Sequence, residues 1–183
     1  KRQAVSSLKT KEEVLDTASF LPSVPQFGNY RSILADSPIP GYLANSFFVS
    51  LAAAAIQLVC CALFTYAVTF MKIRGRDMLF RLVLFTYMVP TAVTYIPCYI
   101  ILSRMGLLDS YQGLILSNGV SVFGIFLLHQ AFEAVPKETM EAARMDGAGH
   151  LSILTRIIVP MTRPSFMTFI LLSFINTYNS YMW

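Results

Sequence analysis

The stretch SPIPGYLANSFFVSLAAAAIQLVCCALFTYAVTFM, residues 37–71, contains no Asp, Glu, Lys or Arg. A helix needs roughly 20 apolar residues to cross the hydrocarbon core of a bilayer, so the apolar part from 43 to 71 is long enough for one span. Three more uncharged stretches follow, at 82–103, 110–132 and 164–183. None alternates polar and apolar residues as the strands of a membrane barrel do. We therefore expect an all-α, polytopic membrane protein with four visible spans.

The composition of the whole chain agrees with this expectation. Of its 183 residues, 55% are hydrophobic and 13% are charged, whereas a soluble domain carries roughly 25% charged residues. This disfavours a soluble enzyme and excludes intrinsic disorder. The net charge is +4, but the basic residues flank the apolar stretches, so we expect no nucleic-acid partner. Cys60, Cys61 and Cys98 lie inside apolar stretches without metal-ligand spacing, so we expect no metal site.

The basic residues predict the orientation of the chain. Segments 72–81 and 133–163 each carry four Lys or Arg, whereas 104–109 carries one. By the positive-inside rule, the first two segments are cytoplasmic, and residues 1–42 and 104–109 face outward. Residues 1–42 are rich in Pro and Gly, which predicts turns in an extracytoplasmic loop, with a short interfacial helix at 6–14.

The second predicted span contains features of a translocation path. Pro90 and Pro97 lie seven residues apart in 82–103, and each is expected to bend the helix. Carbonyls freed at such kinks can line a cavity. A kinked packing helix without a ligand explains the same pattern, and amides at membrane depth can also hydrogen-bond between helices. The candidate path residues are Tyr87, Pro90, Thr94, Tyr95, Asn118, Asn176 and Asn179.

The sequence contains no pattern of residues that indicates catalysis or ion coupling by this chain alone. All ten Asp and Glu lie outside the four stretches, and His129 lies near the end of the third. There is no phosphate-binding glycine loop and no catalytic constellation. We therefore expect a non-catalytic protein without a cofactor of its own. An ion-coupled secondary carrier would need an intramembrane acidic residue elsewhere, and a scaffold resting on lipid is a third possibility.

Segment 133–163 predicts two short helices joined by a bend. Pro136 can begin the first helix and Gly147 can end it. Apolar residues at helical spacing follow from Leu151 to Ile158, and Pro160 closes the run. The apolar stripe either lies on the inner leaflet or docks into a groove of a cytoplasmic partner.

The stretch EAARMDGAGHLSILTRIIVP, residues 141–160, resembles the EAA motif of membrane-spanning permease subunits in bacterial ATP-binding-cassette importers. LANSFFVSL at 43–51 and the run 123–148 resemble the sugar-importing branch that includes the maltose-type permeases. The final FINTYNSYMW resembles the Phe-Ile…Trp-Asn…Trp-Pro-Leu signature of that branch, with Tyr178 where Trp is common. Val159 stands where the EAA motif usually has Leu. The matching motif positions are Glu141, Ala142, Ala143, Asp146, Gly147, Ala148, Ile157 and Pro160.

The resemblance implies a permease domain at 43–183 with six spans in the whole protein, one before Lys1 and one after Trp183, in a bacterial cytoplasmic membrane. The sequence is thus expected to be an internal piece of a longer chain. The implied partners are a second permease subunit, two copies of an ATPase subunit that binds the ATP, and an extracytoplasmic solute-binding protein. Residues 133–160 (the coupling segment) are expected to dock into the ATPase subunits. The implied solute is a carbohydrate, and a non-sugar solute such as glycerol phosphate is the alternative.

Overall fold

A computed structural model describes residues 7–10, 13 and 25–180. Every regular element among these residues is helical, which confirms the all-α class. The chain divides into two compact units, Lys1–Ser46 and Phe47–Trp183. The described helices are α1 (Gly28–Asp36), α2 (Ile39–Phe70), α3 (Arg76–Thr86), α4 (Thr91–Arg104), α5 (Tyr111–Ser117), α6 (Val122–Glu133), α7 (Lys137–Met145), α8 (His150–Met161) and α9 (Arg163–Tyr178).

The first unit contains more helix than its sequence predicts. α1 occupies nine residues where we expected turns, and α2 begins at Ile39 rather than near 43. Pro25 and Pro38 bracket the segment that holds α1, so the prolines limit this helix and do not interrupt it. The interfacial helix predicted at 6–14 falls largely outside the described residues.

α2 is the described helix that is long and apolar enough to cross a membrane by itself. Two bent pairs reach that length only when both members are counted as one span. They are α5 with α6, bent by 49°, and α8 with α9, bent by 87°. The predicted span 110–132 therefore corresponds to a bent pair, and the predicted span that begins at 164 corresponds to α9.

The predicted span 82–103 is divided between α3 and α4. α3 ends at Thr86 and α4 begins after Pro90, which has an extended ψ of 130°. Proline disfavours helical geometry in the residue before it and supplies no N–H, so the chain breaks here and does not merely bend. Pro97, in contrast, lies inside α4 without ending the helix.

The core of the second unit is formed by α2, α6, the coupling segment and α9. α6 buries Ile125, Leu128 and Phe132, which lie at helical spacing along one face. This face packs against α2 and against Phe169 of α9, which is 1% exposed. Gly124 makes the close approach possible, because a Cβ added to it would lie 2.2 Å from the Phe169 ring. The coupling segment is thus joined to the apolar core and is not a separate appendage.

Candidate functional site

The bend of the coupling segment lies between α7 and α8 and is formed by Gly147. This residue has φ +77°, a left-handed conformation that side-chain-bearing residues rarely adopt. The Gly147 N–H donates to the Arg144 carbonyl at 3.0 Å, and the Ala148 N–H donates to the Ala143 carbonyl at 3.0 Å. This pair of bonds is the Schellman arrangement that ends a helix at a glycine. The predicted helix stop at Gly147 is therefore present in the structure.

The motif residues divide between the core and the surface. Ala143 is buried, and Ala148 and Ile157 pack against the same core. Pro160 is exposed at the end of α8. The exposed residues around the bend are both polar and apolar: Glu141, Ala142, Arg144, Met145, Asp146, Gly147, Gly149, His150 and Leu151. Met145 is 88% exposed and Leu151 is 66% exposed, although both are large and apolar. The bend therefore presents an apolar surface bordered by two carboxylates.

Two contacts tie the coupling segment to the end of α2. The Arg144 guanidinium donates to the carbonyl of Phe70, the last residue of α2, at 2.8 Å. The last carbonyls of a helix lack partners within it, so Arg144 satisfies one of them. At the start of α8, His150 Nδ1 lies 3.0 Å from the Tyr66 hydroxyl, and the two rings meet edge to face. The bend is therefore attached to the last turns of α2 by two side-chain contacts.

A π-helical turn occupies the middle of α8, from Leu154 to Ile158. Pro160 follows it, and a proline supplies no N–H and clashes with the carbonyl four residues earlier. The Val159 N–H donates to Leu154, five residues back, which is the spacing of a π turn. α8 ends at Met161. The hydroxyl of the next residue, Thr162, donates to the Ile158 carbonyl at 2.7 Å, and α9 follows at an angle of 87° to α8.

The candidate path residues are not gathered in one place. Tyr87 and Pro90 are exposed at the break between α3 and α4. Thr94 is exposed on α4, and Asn176 and Asn179 are exposed at the end of α9. Tyr95 is half-buried and lines a cavity of about 960 Å³ between α4 and the segment 107–114, together with Tyr99, Asp109, Ser110, Tyr111 and Gln112.

The Asn118 side chain caps its own helix. Its Nδ2 donates to the Leu114 carbonyl at 2.9 Å and lies 3.3 Å from the Ser117 hydroxyl. It therefore makes local bonds, whereas its sequence suggested either a contact between helices or a contact with solute. The contact between helices at this point is made by its backbone carbonyl.

A row of polar side chains on α2 bonds to the bent pair α5–α6. Gln57, Cys61 and Thr65, which we call the α2 ladder, lie four residues apart and so share one helix face. Gln57 Nε2 donates to the Asn118 carbonyl at 2.5 Å. The Cys61 thiol contacts the Ser121 carbonyl at 3.4 Å, and the Thr65 hydroxyl contacts the Ile125 carbonyl at 3.5 Å.

The chain is similar to known proteins both in its sequence and in the arrangement of its helices. The family described as binding-protein-dependent transport system inner membrane component matches residues 59–183. The chain belongs to this family. Among solved structures, a bacterial ABC transporter involved in the import of the acidic polysaccharide alginate superimposes with a TM-score of 0.89 at 29% identity. The superposition covers 100% of this chain and 65% of the other.

Curated relatives of this inner membrane component are permease proteins. The osmoprotective compounds uptake permease protein GgtD of Synechocystis sp. is 32% identical over 96% of this chain. The arabinooligosaccharides transport system permease protein AraQ of Bacillus subtilis is 31% identical over 98%. The sn-glycerol-3-phosphate transport system permease protein UgpE of Pectobacterium atrosepticum is 28% identical over 97%. The chain spans 62%, 65% and 66% of their respective lengths.

Sequence reasoning about this inner membrane component missed the anchoring residues. From the sequence, Arg144 is only one of the basic and helix-forming residues of the segment, and His150 and Tyr66 have no predicted role. Gln57 was also missed, although a signal was present. It is an amide in the middle of an uncharged stretch of 35 residues, where an unpaired polar group would be costly.

Proposed function

We propose that this chain is the transmembrane subunit of an ATP-driven, binding-protein-dependent importer in a bacterial cytoplasmic membrane. It spans the membrane several times, forms part of the translocation path and performs no catalysis itself. ATP is bound and hydrolysed by partner ATPase subunits, and a second permease subunit completes the pore. An extracytoplasmic binding protein delivers the solute.

The observation that carries the proposal is the exposed bend of the coupling segment. Met145 and Leu151 leave large apolar surfaces uncovered, and Glu141 and Asp146 border them with negative charge. Such a surface fits a groove on a protein with an apolar floor and a basic rim. The bend is held to α2 through Arg144, so force applied to it moves the helix and does not deform a slack loop.

The proposed mechanism is a rigid-body movement. Closure of the ATPase dimer displaces the docked bend, and α2 and α9 follow because both are attached to it. The helices then tilt between a state open to the cytoplasm and a state open to the outside. The chain thus supplies the gate, and the partner supplies the free energy.

The proposed solute is a carbohydrate or a related polyol. Support comes from the relatives, whose names specify arabinooligosaccharides, osmoprotective compounds and sn-glycerol-3-phosphate. The cavity beside Tyr95 is mostly apolar, with three tyrosine rings, several Leu and Ile side chains and a few polar groups; aromatic rings beside a few polar groups suit the rings and hydroxyls of a polyhydroxylated solute.

Purification and reconstitution of the full-length chain tests the proposal. Its ATPase and second permease subunits should co-purify with it, and proteoliposomes should accumulate solute only when ATP and the binding protein are present. The solutes to try are arabinotriose, an osmoprotective compound, sn-glycerol 3-phosphate and an alginate oligosaccharide. Uptake driven by a proton or sodium gradient without ATP would refute the proposal.

A matched pair of variants tests the docking surface. Glu141 and Glu138 are both exposed on α7, and only Glu141 borders the bend. Loss of a charge-assisted hydrogen bond costs roughly 1.5–3 kcal/mol, or about tenfold or more in affinity. We expect Glu141→Gln to lower ATPase co-purification by about that factor, and Glu138→Gln to leave it unchanged. Equal behaviour of the two variants would contradict docking at the bend.

A further inference from the structure

Gln57 lies at the junction of three helical elements that the sequence places far apart. Its Nε2 donates to the carbonyl of Asn118, at the break between α5 and α6. Its Oε1 accepts from the Ser173 hydroxyl of α9 at 2.5 Å. Gln57 is 7% exposed and Ser173 is 6% exposed, so the bond between them is shielded from solvent, and the bond to Asn118 is partly buried. One amide therefore joins α2, the α5–α6 break and α9.

The break explains why a polar side chain is needed here. Residues 118–121 interrupt the helix, and the Asn118 carbonyl at the end of α5 has no donor from the helix itself, whereas the Ser121 carbonyl accepts from Ile125 of α6. Inside a membrane, each such group needs a partner from the protein. The Gln57 side chain provides that partner for Asn118, and its other end is occupied by Ser173. Both ends of the amide thus have partners within the chain, which explains this polar side chain without a bound solute.

The other members of the α2 ladder make weaker contacts of a different kind. Cys61 and Thr65 contact carbonyls of residues 121 and 125 at longer distances, and neither contacts α9 in the described hydrogen bonds. The Ile125 carbonyl is also inside α6, where the helix supplies its own donor. Gln57 is therefore the member of the ladder that connects the break with α9.

The position of Ser173 on α9 determines whether a tilt of this helix moves the Ser173–Gln57 bond. α9 follows the coupling segment directly, and Ser173 lies ten residues after its first residue, Arg163. At 1.5 Å per residue this is about 15 Å along the helix. A tilt of α9 at the coupling segment therefore displaces Ser173, and through Gln57 it displaces the α5–α6 break.

We propose that Gln57 is a positioning residue that transmits movement of α9 to the α5–α6 break. The inference rests on the proposed function, because it needs a partner that moves the coupling segment. Gln57 passes that movement to the break at 118–121, which lies just before the point where α9 packs directly against α6, at Gly124 and Phe169. It contacts neither solute nor nucleotide.

The experiment uses the full-length protein in its complex, with one fluorescent reporter at a time. Val120, 61% exposed in the break, and Met145, 88% exposed at the bend, are replaced by Cys and labelled with bimane. Cys60 and Cys98 are replaced by Ser in this background, and buried Cys61 is kept. Trapping with ATP and vanadate is expected to change the fluorescence of both reporters.

Four variants then separate transmission from general stability. Gln57→Leu removes both bonds, and Ser173→Ala removes only the bond to α9. We expect each to lower the Val120 response roughly threefold or more, with the Met145 response unchanged. The double variant should be no worse than Gln57→Leu, because both residues lie on one route. Thr65→Val is the matched control on the same face, since it removes a hydroxyl bond without changing shape, and it should leave both responses intact.

Each outcome decides the question. A normal Val120 response in Ser173→Ala and Gln57→Leu would overturn the inference, as would an equal loss in Thr65→Val. If Gln57→Leu does not assemble, Ser173→Ala alone decides, because a buried serine is readily replaced by alanine. If the Met145 reporter responds in the wild-type complex and the Val120 reporter does not, transmission through Gln57 is refuted, but the proposed function is not. A complex in which neither reporter responds would refute the proposed function, and the inference with it.

Discussion

The backbone conformation of Gly147 makes a sharp prediction about the coupling segment. A Cβ added at Gly147 or at Gly149 would meet nothing within 4 Å, so space is equal at the two positions. Their backbones differ: φ is +77° at Gly147 and −71° at Gly149. The same substitution at both positions therefore isolates the cost of the left-handed conformation from the cost of crowding.

The expected free-energy cost of the substitution at Gly147 follows from this difference in φ. A left-handed conformation costs an ordinary L-residue about 1–2 kcal/mol, which shifts the equilibrium away from the native bend by roughly five- to thirtyfold. Gly147→Ser should therefore weaken the Schellman bonds from residues 147 and 148. Gly149→Ser should be neutral or slightly stabilising, because Gly149 is the N-cap of α8 and serine is a favoured N-cap residue.

The assay measures solute accumulated per ATP hydrolysed in proteoliposomes that contain the full complex. Gly147→Ser should lower this ratio severalfold while ATP hydrolysis and helix content by circular dichroism persist, because the docked bend no longer moves as a rigid body. Gly147→Asn should lose less, since asparagine tolerates the left-handed region. If Gly147→Ser and Gly149→Ser gave the same ratio as the wild type, the reasoning about the bend would be wrong.

Three further predictions concern the packing around the bend. Arg144→Met should lower the melting temperature of the purified complex by a few degrees, because it removes a hydrogen bond to the Phe70 carbonyl worth about 1 kcal/mol; an unchanged melting temperature would show that the bond contributes nothing. Gly124→Ala should destabilise by roughly 1–3 kcal/mol through its clash with Phe169, and Phe169→Leu in the same chain should recover part of that loss when unfolding is measured in detergent. A thiol at Met145, introduced as Met145→Cys, should react with maleimide in the isolated subunit and be protected in the assembled complex; equal reactivity in both would argue against docking at this face.

The helical class could be predicted from the sequence because it depends on a local property. The uncharged stretch around α2 is long enough to cross a membrane, and no tertiary contact is needed to see this. The bend at Gly147 was equally accessible, since a glycine after a run of helix formers indicates a helix end. The helix α1 could not be predicted from the sequence, because the numbers of Pro and Gly residues indicate turns but do not show where a helix fits between them.

The break at Pro90 and the bond network of Gln57 lay beyond a reading of the sequence. Pro90 and Pro97 look alike in the sequence, yet one separates α3 from α4 and the other lies inside α4. The difference depends on whether neighbouring groups compensate for the missing N–H, which is a tertiary property. Gln57 is visible as a polar residue in an apolar stretch, but its partners lie 61 and 116 residues away. No periodicity connects residues at such separations.

The coupling segment and the α5–α6 break depend on hydrogen bonds that join distant elements. At the bend, Arg144 satisfies a carbonyl at the end of α2, and at the break Gln57 satisfies the carbonyl of Asn118. In both places a carbonyl freed at a helix end, that of Phe70 in α2 and that of Asn118 in α5, receives a donor from another element. Each of these helix ends is therefore fixed to an element that is distant in the sequence, which is why both contacts join separate parts of the chain.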